Sequence, residues 1–158
     1  MQVRDATFED CDALGTGMKV VVDEGIWLAT EGASELELAN RFRQAILEGH
    51  TLLVLEDGGG IVGSLGMHPT QTEGVTALGM WVLPSHRRRG GGWMLIEAAL
   101  AARPEEVHKI ELEVFPENEA AIELYRRMGF EEEGLRRDHY RRADGSLRSA
   151  LIMARLFT

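Results

Sequence analysis

Hydrophobic and polar positions follow two periods along this chain, and the switches between them mark out its elements. Gln2–Thr7 reads as a short strand, and Phe8-Glu9-Asp10 opens a helix running towards Val22. Gly25 to Gly32 breaks the pattern as a loop carrying Ile26 and Trp27. Ser34 with Glu37 three residues on has capping-box spacing, so a second helix begins there. Its Leu38, Phe42, Ala45 and Ile46 recur at helical intervals, and Gly49 ends it. Thr51–Glu56 and Ile61–Met67 are strands joined by the tight turn Asp57-Gly58-Gly59-Gly60, and Val75–Val82 is a further strand stopped by Pro84. Gly92–Ala102 reads as a helix and Lys109–Val114 as a strand. Asn118–Met128 is another helix, with Ala121, Leu124, Tyr125 and Met128 as its apolar stripe. Phe130–Tyr140 and Leu147–Phe157 read as two antiparallel strands joined through Asp144-Gly145. The order β-α-α-β-β-β-α-β-α-β-β predicts a mixed sheet with helices on its faces.

Length and composition narrow the class. A chain of 158 residues suits one domain spanning 1–158, and folding at this size buries roughly 70% of the extended-chain surface. With 44% hydrophobic and 27% charged residues it reads as globular rather than disordered. A single cysteine, Cys11, excludes an intramolecular disulfide and fits a reducing compartment. No apolar run approaches the roughly 20 residues of a membrane span, and acids rather than an apolar stretch follow Arg4. The expectation is a soluble cytoplasmic protein with no membrane partner.

Charge adds an asymmetry. Residues 1–80 hold 4 Lys or Arg against 13 Asp or Glu, whereas residues 81–158 hold 13 of each, for a net charge of -9. An acidic protein is poorly suited to nucleic acid, whose phosphates supply most of such affinity, so no nucleic-acid partner is expected. The acidic half either faces a cationic partner or forms solvated helix faces.

The most informative stretch joins the strand ending at Val82 to the helix near Gly92: Pro84-Ser85-His86-Arg87-Arg88-Arg89-Gly90-Gly91-Gly92-Trp93. A helix N-terminus offers unpaired N–H groups, glycines let the backbone approach an anion, and arginines add charge-assisted donors. A phosphate or pyrophosphate is the natural guest, and a solvated arginine turn is the alternative. The chain has no Gly-Lys pair for a Walker A loop, and Leu95 stands where a dinucleotide fingerprint wants glycine.

Arg87-x-x-Gly90-x-Gly92 resembles the acyl-CoA pyrophosphate loop of the GNAT superfamily of N-acetyltransferases. Leu78–Val82 looks like that superfamily's fourth strand. Asn118-Glu119-Ala120-Ala121-Ile122-Glu123-Leu124-Tyr125-Arg126-Arg127-Met128-Gly129-Phe130 resembles its Asn-x-x-Ala-x-x-Leu-Tyr-x-x-x-Gly-Phe segment. The resemblance implies an α/β (α+β) fold, a mixed, mostly antiparallel sheet of six to seven strands flanked by about four helices. It also implies direct transfer of an acetyl group from acetyl-CoA to a primary amine in a ternary complex, without a metal. A catalytically weak acyl-CoA-binding sensor is the alternative. Dimers are common in that superfamily, so a homodimer is one expectation.

The same resemblance distributes roles. Trp81, Val82, Arg87, Arg88, Arg89, Gly90, Gly91, Gly92, Trp93, Asn118 and Tyr125 are the expected cofactor-binding residues. A strand bulge is expected to free the Val82 amide for the oxyanion, a contact worth about 3 kcal/mol in acyl transfer. Gly91, where relatives carry a bulky residue, is expected to loosen the first helical turn by up to about 1 kcal/mol. Tyr125 is expected to protonate the leaving thiolate, or else serves only as a core residue. Asn118 is equally an N-cap. Thr76 stands where many members carry a glutamate base, so Glu113, used at that place in a second subgroup, becomes the candidate base; the bland reading is that Glu111 and Glu113 are solvated carboxylates on one strand face. His139 and Tyr140 are candidate acceptor contacts, and the Trp27 loop should border a cleft for a cationic amine. The C-terminal run resembles the phosphinothricin-type subgroup, except that the subgroup commonly has an acid near the position of Ser149, so its detailed acceptor chemistry is not carried over. His68 and His108 read as surface residues, and Cys11 as uninvolved.

Overall fold

The computed structural model describes residues 1–158. Its elements are β1 (Gln2–Asp5), α1 (Cys11–Asp23), α2 (Glu35–Leu47), β2 (Thr51–Asp57), β3 (Gly60–Pro69), β4 (Val75–Val82), α3 (Gly91–Ala101), β5 (Lys109–Val114), α4 (Glu119–Arg127), β6 (Glu131–Arg141) and β7 (Leu147–Leu156). The expected bounds of β4 and β5 coincide with these, and the rest differ by a few residues at their ends. The largest difference is at α1. Phe8–Asp10 forms a 3₁₀ turn rather than helix, because the Asp10 carboxylate accepts the Thr7 N–H at 2.7 Å and caps the turn. At α2 the Ser34 hydroxyl accepts the Glu37 N–H at 3.1 Å and the Glu37 carboxylate accepts the Ser34 N–H at 3.3 Å, so the capping box forms as read.

Seven strands make one sheet in the order β1-β2-β3-β4-β5-β7-β6, antiparallel everywhere except between β4 and β5. A parallel neighbour requires a crossover, and α3 supplies it. One sheet face packs Leu53, Leu55, Leu65, Leu78, Ile110 and Leu112 against Leu95, Ile96 and Ala99 of α3 and Ile122 and Tyr125 of α4. The other packs Leu52, Val54 and Trp81 against Leu14 and Val21 of α1. Gly17 in the middle of α1 lets the Trp81 ring lie against the helix, since a Cβ there would come within 2.5 Å of the ring. No helix is long and apolar enough to cross a membrane.

Two irregularities shape the centre. The β4/β5 ladder covers only Val75↔Lys109, Thr76↔Ile110 and Ala77↔Glu111, although β4 continues to Val82 and β5 to Val114. Beyond Ala77 the two strands part, while β5 stays paired to β7 over its whole length. The bulge expected in β4 is absent: its pairing with β3 runs from Thr76 to Val82 without a register shift. The bulge next to this gap lies instead in β6, between Arg136 and Tyr140.

Candidate active site

The parity of β4 decides which of its amides face the gap. Leu83 N–H donates to Val62 O at 2.8 Å and Thr70 N–H to Val75 O at 3.0 Å, so odd-numbered residues of β4 exchange hydrogen bonds with β3. Thr76, Leu78, Met80 and Val82 therefore turn their backbone groups towards β5. Past Ala77 no β5 partner remains, and the Met80 and Val82 amides line the opening. The splay frees the amide that a bulge was expected to free.

Past β4 the chain makes a 3₁₀ turn at Pro84–His86 and enters left-handed backbone at Arg88 (φ 61°) and Gly90 (φ 85°), the N-cap of α3. The consecutive amides of Arg88, Arg89, Gly90, Gly91, Gly92 and Trp93 donate to no acceptor in the chain. Successive free N–H groups at a helix start make a concave anion site. Gly91 has a packing reason rather than a loosening role, because its Cβ would stand 2.5 Å from the Leu55 side chain. At Gly92 a Cβ would press on Leu124 at 2.9 Å. Glycine lets this loop lie against the core.

The three arginines separate. The Arg87 guanidinium is committed inside the chain: it pairs with both oxygens of Glu24 at 2.6 and 2.9 Å and donates through Nε to Val82 O at 3.0 Å. It ties the end of β4 to the residue after α1, and its side chain is not free for a ligand. Arg88 and Arg89 are exposed, with Asp57 3.9 Å from Arg89. Trp93 is half-buried beneath Arg127, 5.4 Å away.

Asn118 caps α4 by accepting the Ala121 N–H at 3.2 Å. Two turns later Tyr125 is buried against Phe130 with ring centroids 5.9 Å apart, and its hydroxyl makes no hydrogen bond within the chain. Burial pushes its phenol up to about 12, well above the 10 of an exposed tyrosine. Tyr125 shares a cluster with Leu112 and Val114, whereas Glu113 projects from the opposite face of β5, so the two groups flank this strand.

Glu113 is held on both oxygens. Arg136 Nη1 donates to Oε1 at 2.5 Å and the Tyr140 hydroxyl donates to Oε2. The β6 bulge aims these groups. Three β6 residues stand opposite Ser149 alone, and the Ser149 hydroxyl accepts the Asp138 N–H at 3.0 Å. Tyr140 packs edge-on to Phe115 at 6.1 Å, and burial, followed by the hydrogen bond to Glu113, pushes its phenol up to about 12. Ser149, near where the phosphinothricin-type subgroup commonly has an acid, thus anchors the bulge.

Sequence reasoning missed a latch. Arg142 is buried and donates to Leu28 O and Ala29 O at 3.1 Å each and to Gly25 O at 3.3 Å, with Glu31 3.3 Å away. Arg148 donates to Ile26 O at 2.8 Å, and its guanidinium stacks on Phe115 at 3.9 Å. Together they fasten the α1–α2 loop to the β6–β7 hairpin. Within that loop Leu28, not Trp27, lines a cavity of about 490 Å³ between α2 and strands β2 to β4. His68 reaches the rim of this cavity, and Cys11 is buried, its thiol pushed up by burial. No three His, Cys, Asp or Glu side chains gather closely enough to share a metal ion.

A strand pair splayed beside a nest of free amides is an arrangement for an extended, phosphate-bearing ligand. A family model for the acetyltransferase (GNAT) family matches residues 21–130, and the chain belongs to that family. It is an acyltransferase fold throughout. A ribosomal-protein-alanine N-acetyltransferase from Brucella melitensis is 28% identical with a TM-score of 0.84, covering 99% of this chain and 100% of that one. The ribosomal-protein-S18-alanine N-acetyltransferase of Escherichia coli is 24% identical with a TM-score of 0.75, covering 99% and 94%. A phosphinothricin acetyltransferase from Sinorhizobium meliloti, solved in complex with acetyl-CoA, is 21% identical with a TM-score of 0.84, covering 99% and 88%.

Proposed function

We propose that residues 1–158 act as one catalytic domain that moves an acetyl group from acetyl-CoA directly to a primary amine, both substrates being bound together. The observation that carries this reading is the run of unpaired amides from Arg88 to Trp93 continuing into the open edge of β4. Free backbone donors at a helix start suit a pyrophosphate, and an unpaired strand edge suits the amide-bearing pantetheine arm. When bound, acetyl-CoA supplies a thioester carbonyl activated for attack.

The chain then has four tasks. Arg88–Trp93 hold the pyrophosphate, with the Arg88 and Arg89 side chains adding charge while Arg87 fixes the loop. The Met80 and Val82 amides donate to the carbonyl oxygen as it becomes an oxyanion. Glu113 takes a proton from the acceptor ammonium; a carboxylate oxygen keeps a lone pair after accepting one hydrogen bond, so the contacts from Arg136 and Tyr140 orient it without blocking it. As the C–N bond forms and the C–S bond breaks, the Tyr125 hydroxyl gives a hydrogen bond to the departing sulfur, the nitrogen loses its second proton to water, and the thiolate takes a proton from water to leave as thiol. With its phenol near 12, Tyr125 stays protonated at neutral pH and gives the departing thiolate a hydrogen bond without surrendering the proton.

The sensor alternative draws on Thr76, which offers no base, and on the engagement of both Glu113 oxygens. Free-thiol release from acetyl-CoA across a panel of amines separates the two readings. Amine-dependent release that falls sharply in Glu113→Gln supports the transferase. Coenzyme A binding without release across the panel supports the sensor.

A further inference from the structure

The cavity under α2 has a local cause. Gly66 and Gly79 are cross-strand partners in the middle of β3 and β4, and neither has the positive φ that calls for glycine. A Cβ at Gly79 would meet nothing within 4 Å, and one at Gly66 would meet only Leu52 at 3.7 Å and the Thr51 carbonyl at 3.9 Å. Paired mid-strand glycines weaken a sheet. Here they leave a bare backbone floor where any larger pair would project into the cavity.

Its walls are apolar: Met18, Leu28, Phe42, Leu52 and Trp81, with Leu78 and Met80 bordering it through their backbone while their side chains pack on the opposite sheet face. The Trp81 indole Nε1 is buried without a hydrogen-bond partner, in a side chain that lines this space. A buried donor of that kind requires a partner. At the rim Glu48 is the only acid, and it already accepts from Gln44 at 2.8 Å and faces His50 Nε2 at 3.3 Å. Arg41, also at the rim, forms no ion pair. A polycation would find one occupied carboxylate and a free guanidinium, so the acidic excess of the first half does not serve this cavity.

We infer that this cavity holds the non-reacting part of the acceptor, an apolar substituent on the amine bearing one oxygen that accepts the Trp81 N–H, and that Gly66 and Gly79 set its size. The inference rests on the transferase reading, because the wall from Leu78 to Trp81 is the same strand segment whose amides edge the β4/β5 opening.

The test compares ethylamine, spermidine, phenethylamine and tyramine methyl ether as acceptors. Wild-type kcat/KM is expected to favour phenethylamine over ethylamine and spermidine by about tenfold or more. Gly66→Leu brings that preference within about threefold while coenzyme A affinity, read by calorimetry, shows the variant folded. Gly79→Val, whose side chain enters open space, gives the same collapse if Gly66→Leu does not fold. Trp81→Phe lowers tyramine methyl ether about fivefold more than phenethylamine, as loss of one hydrogen bond predicts. Spermidine turned over as well as phenethylamine, or a preference that survives both glycine variants, overturns the inference while leaving acetyl transfer intact. If no amine releases thiol, the transferase reading fails separately. Calorimetry of tyramine methyl ether then decides the cavity: binding lost in Gly66→Leu supports it, and no binding to wild type overturns it.

Discussion

Tyr125 carries two demands on one side chain. Its ring belongs to the stripe that packs α4 on the sheet, while its hydroxyl reaches no protein acceptor. Tyr125→Phe should therefore leave thermal stability within about 0.5 kcal/mol, as expected when no protein hydrogen bond is lost, and lower kcat at neutral pH by about tenfold or more, as loss of a hydrogen bond to a developing thiolate predicts. A fall of less than about threefold removes this residue from thiolate departure. The raised phenols of Tyr125 and Tyr140 also fix a sign. Their neutral forms are favoured in the folded state, so their contribution is complete below pH 10 and is lost as pH rises through about 12. Alkaline unfolding followed with Tyr125→Phe should show a smaller loss of stability across that window than wild type. At the other residue worth changing, Arg88, the left-handed backbone disfavours a side chain by roughly 1 kcal/mol. Arg88→Gly should raise the melting temperature by about 2–4 °C, and a lowered one would mean that the arginine side chain stabilises the loop.

At the scale of elements, what matters is how loops are held to the sheet. Arg142 places one guanidinium against three carbonyls of the α1–α2 loop, and removing it frees a segment that has no helix or strand of its own. Arg142→Ala should raise KM for the amine fivefold or more while KM for acetyl-CoA moves less than twofold, since the free amides of the anion loop lie in the β4–α3 connection, which Arg142 does not touch; Arg142→Lys should recover part of the loss. Equal changes in both constants would make Arg142 a general stabiliser instead. At the β1–α1 joint, the Arg4 guanidinium holds Asp10 down to about 2. A lowered carboxyl contributes above its unfolded value near 3.8 and loses that contribution as pH falls through about 2. Acid unfolding of Asp10→Asn should be flatter than wild type across this interval, and an unchanged slope would place the acid sensitivity elsewhere.

For the whole molecule, local chemistry in the sequence was a good guide to elements and a poor one to the relations between them. Ser34 with Glu37, Pro84 after Val82 and Asp144-Gly145 each act within a few residues, and each forms the cap, stop or turn that its spacing predicts. The parting of β4 from β5 is different, because it depends on β7 holding β5 away, and nothing within Leu78–Val82 states that. The same reason hid Glu24 as the partner of Arg87, 63 residues away along the chain, and the loop carbonyls held by Arg142, 113 or more residues away. Family motifs pointed to Tyr125 and Glu113, but Ser149 as anchor of the bulge that aims Tyr140, and the facing Gly66 and Gly79, emerge only when strands are in register. The acidic first half is read as facing a cation or forming solvated helix faces, and some of its carboxylates pair inside the chain, Glu24 with Arg87 and Glu56 with Arg4, which summed charge does not reveal.

Direct transfer with both substrates bound is decided by initial rates with acetyl-CoA and phenethylamine varied together. Double-reciprocal lines that intersect, with acetylated amine identified by mass spectrometry in step with released thiol, are the predicted result. Parallel lines, or thiol released at the same rate without amine, would contradict it.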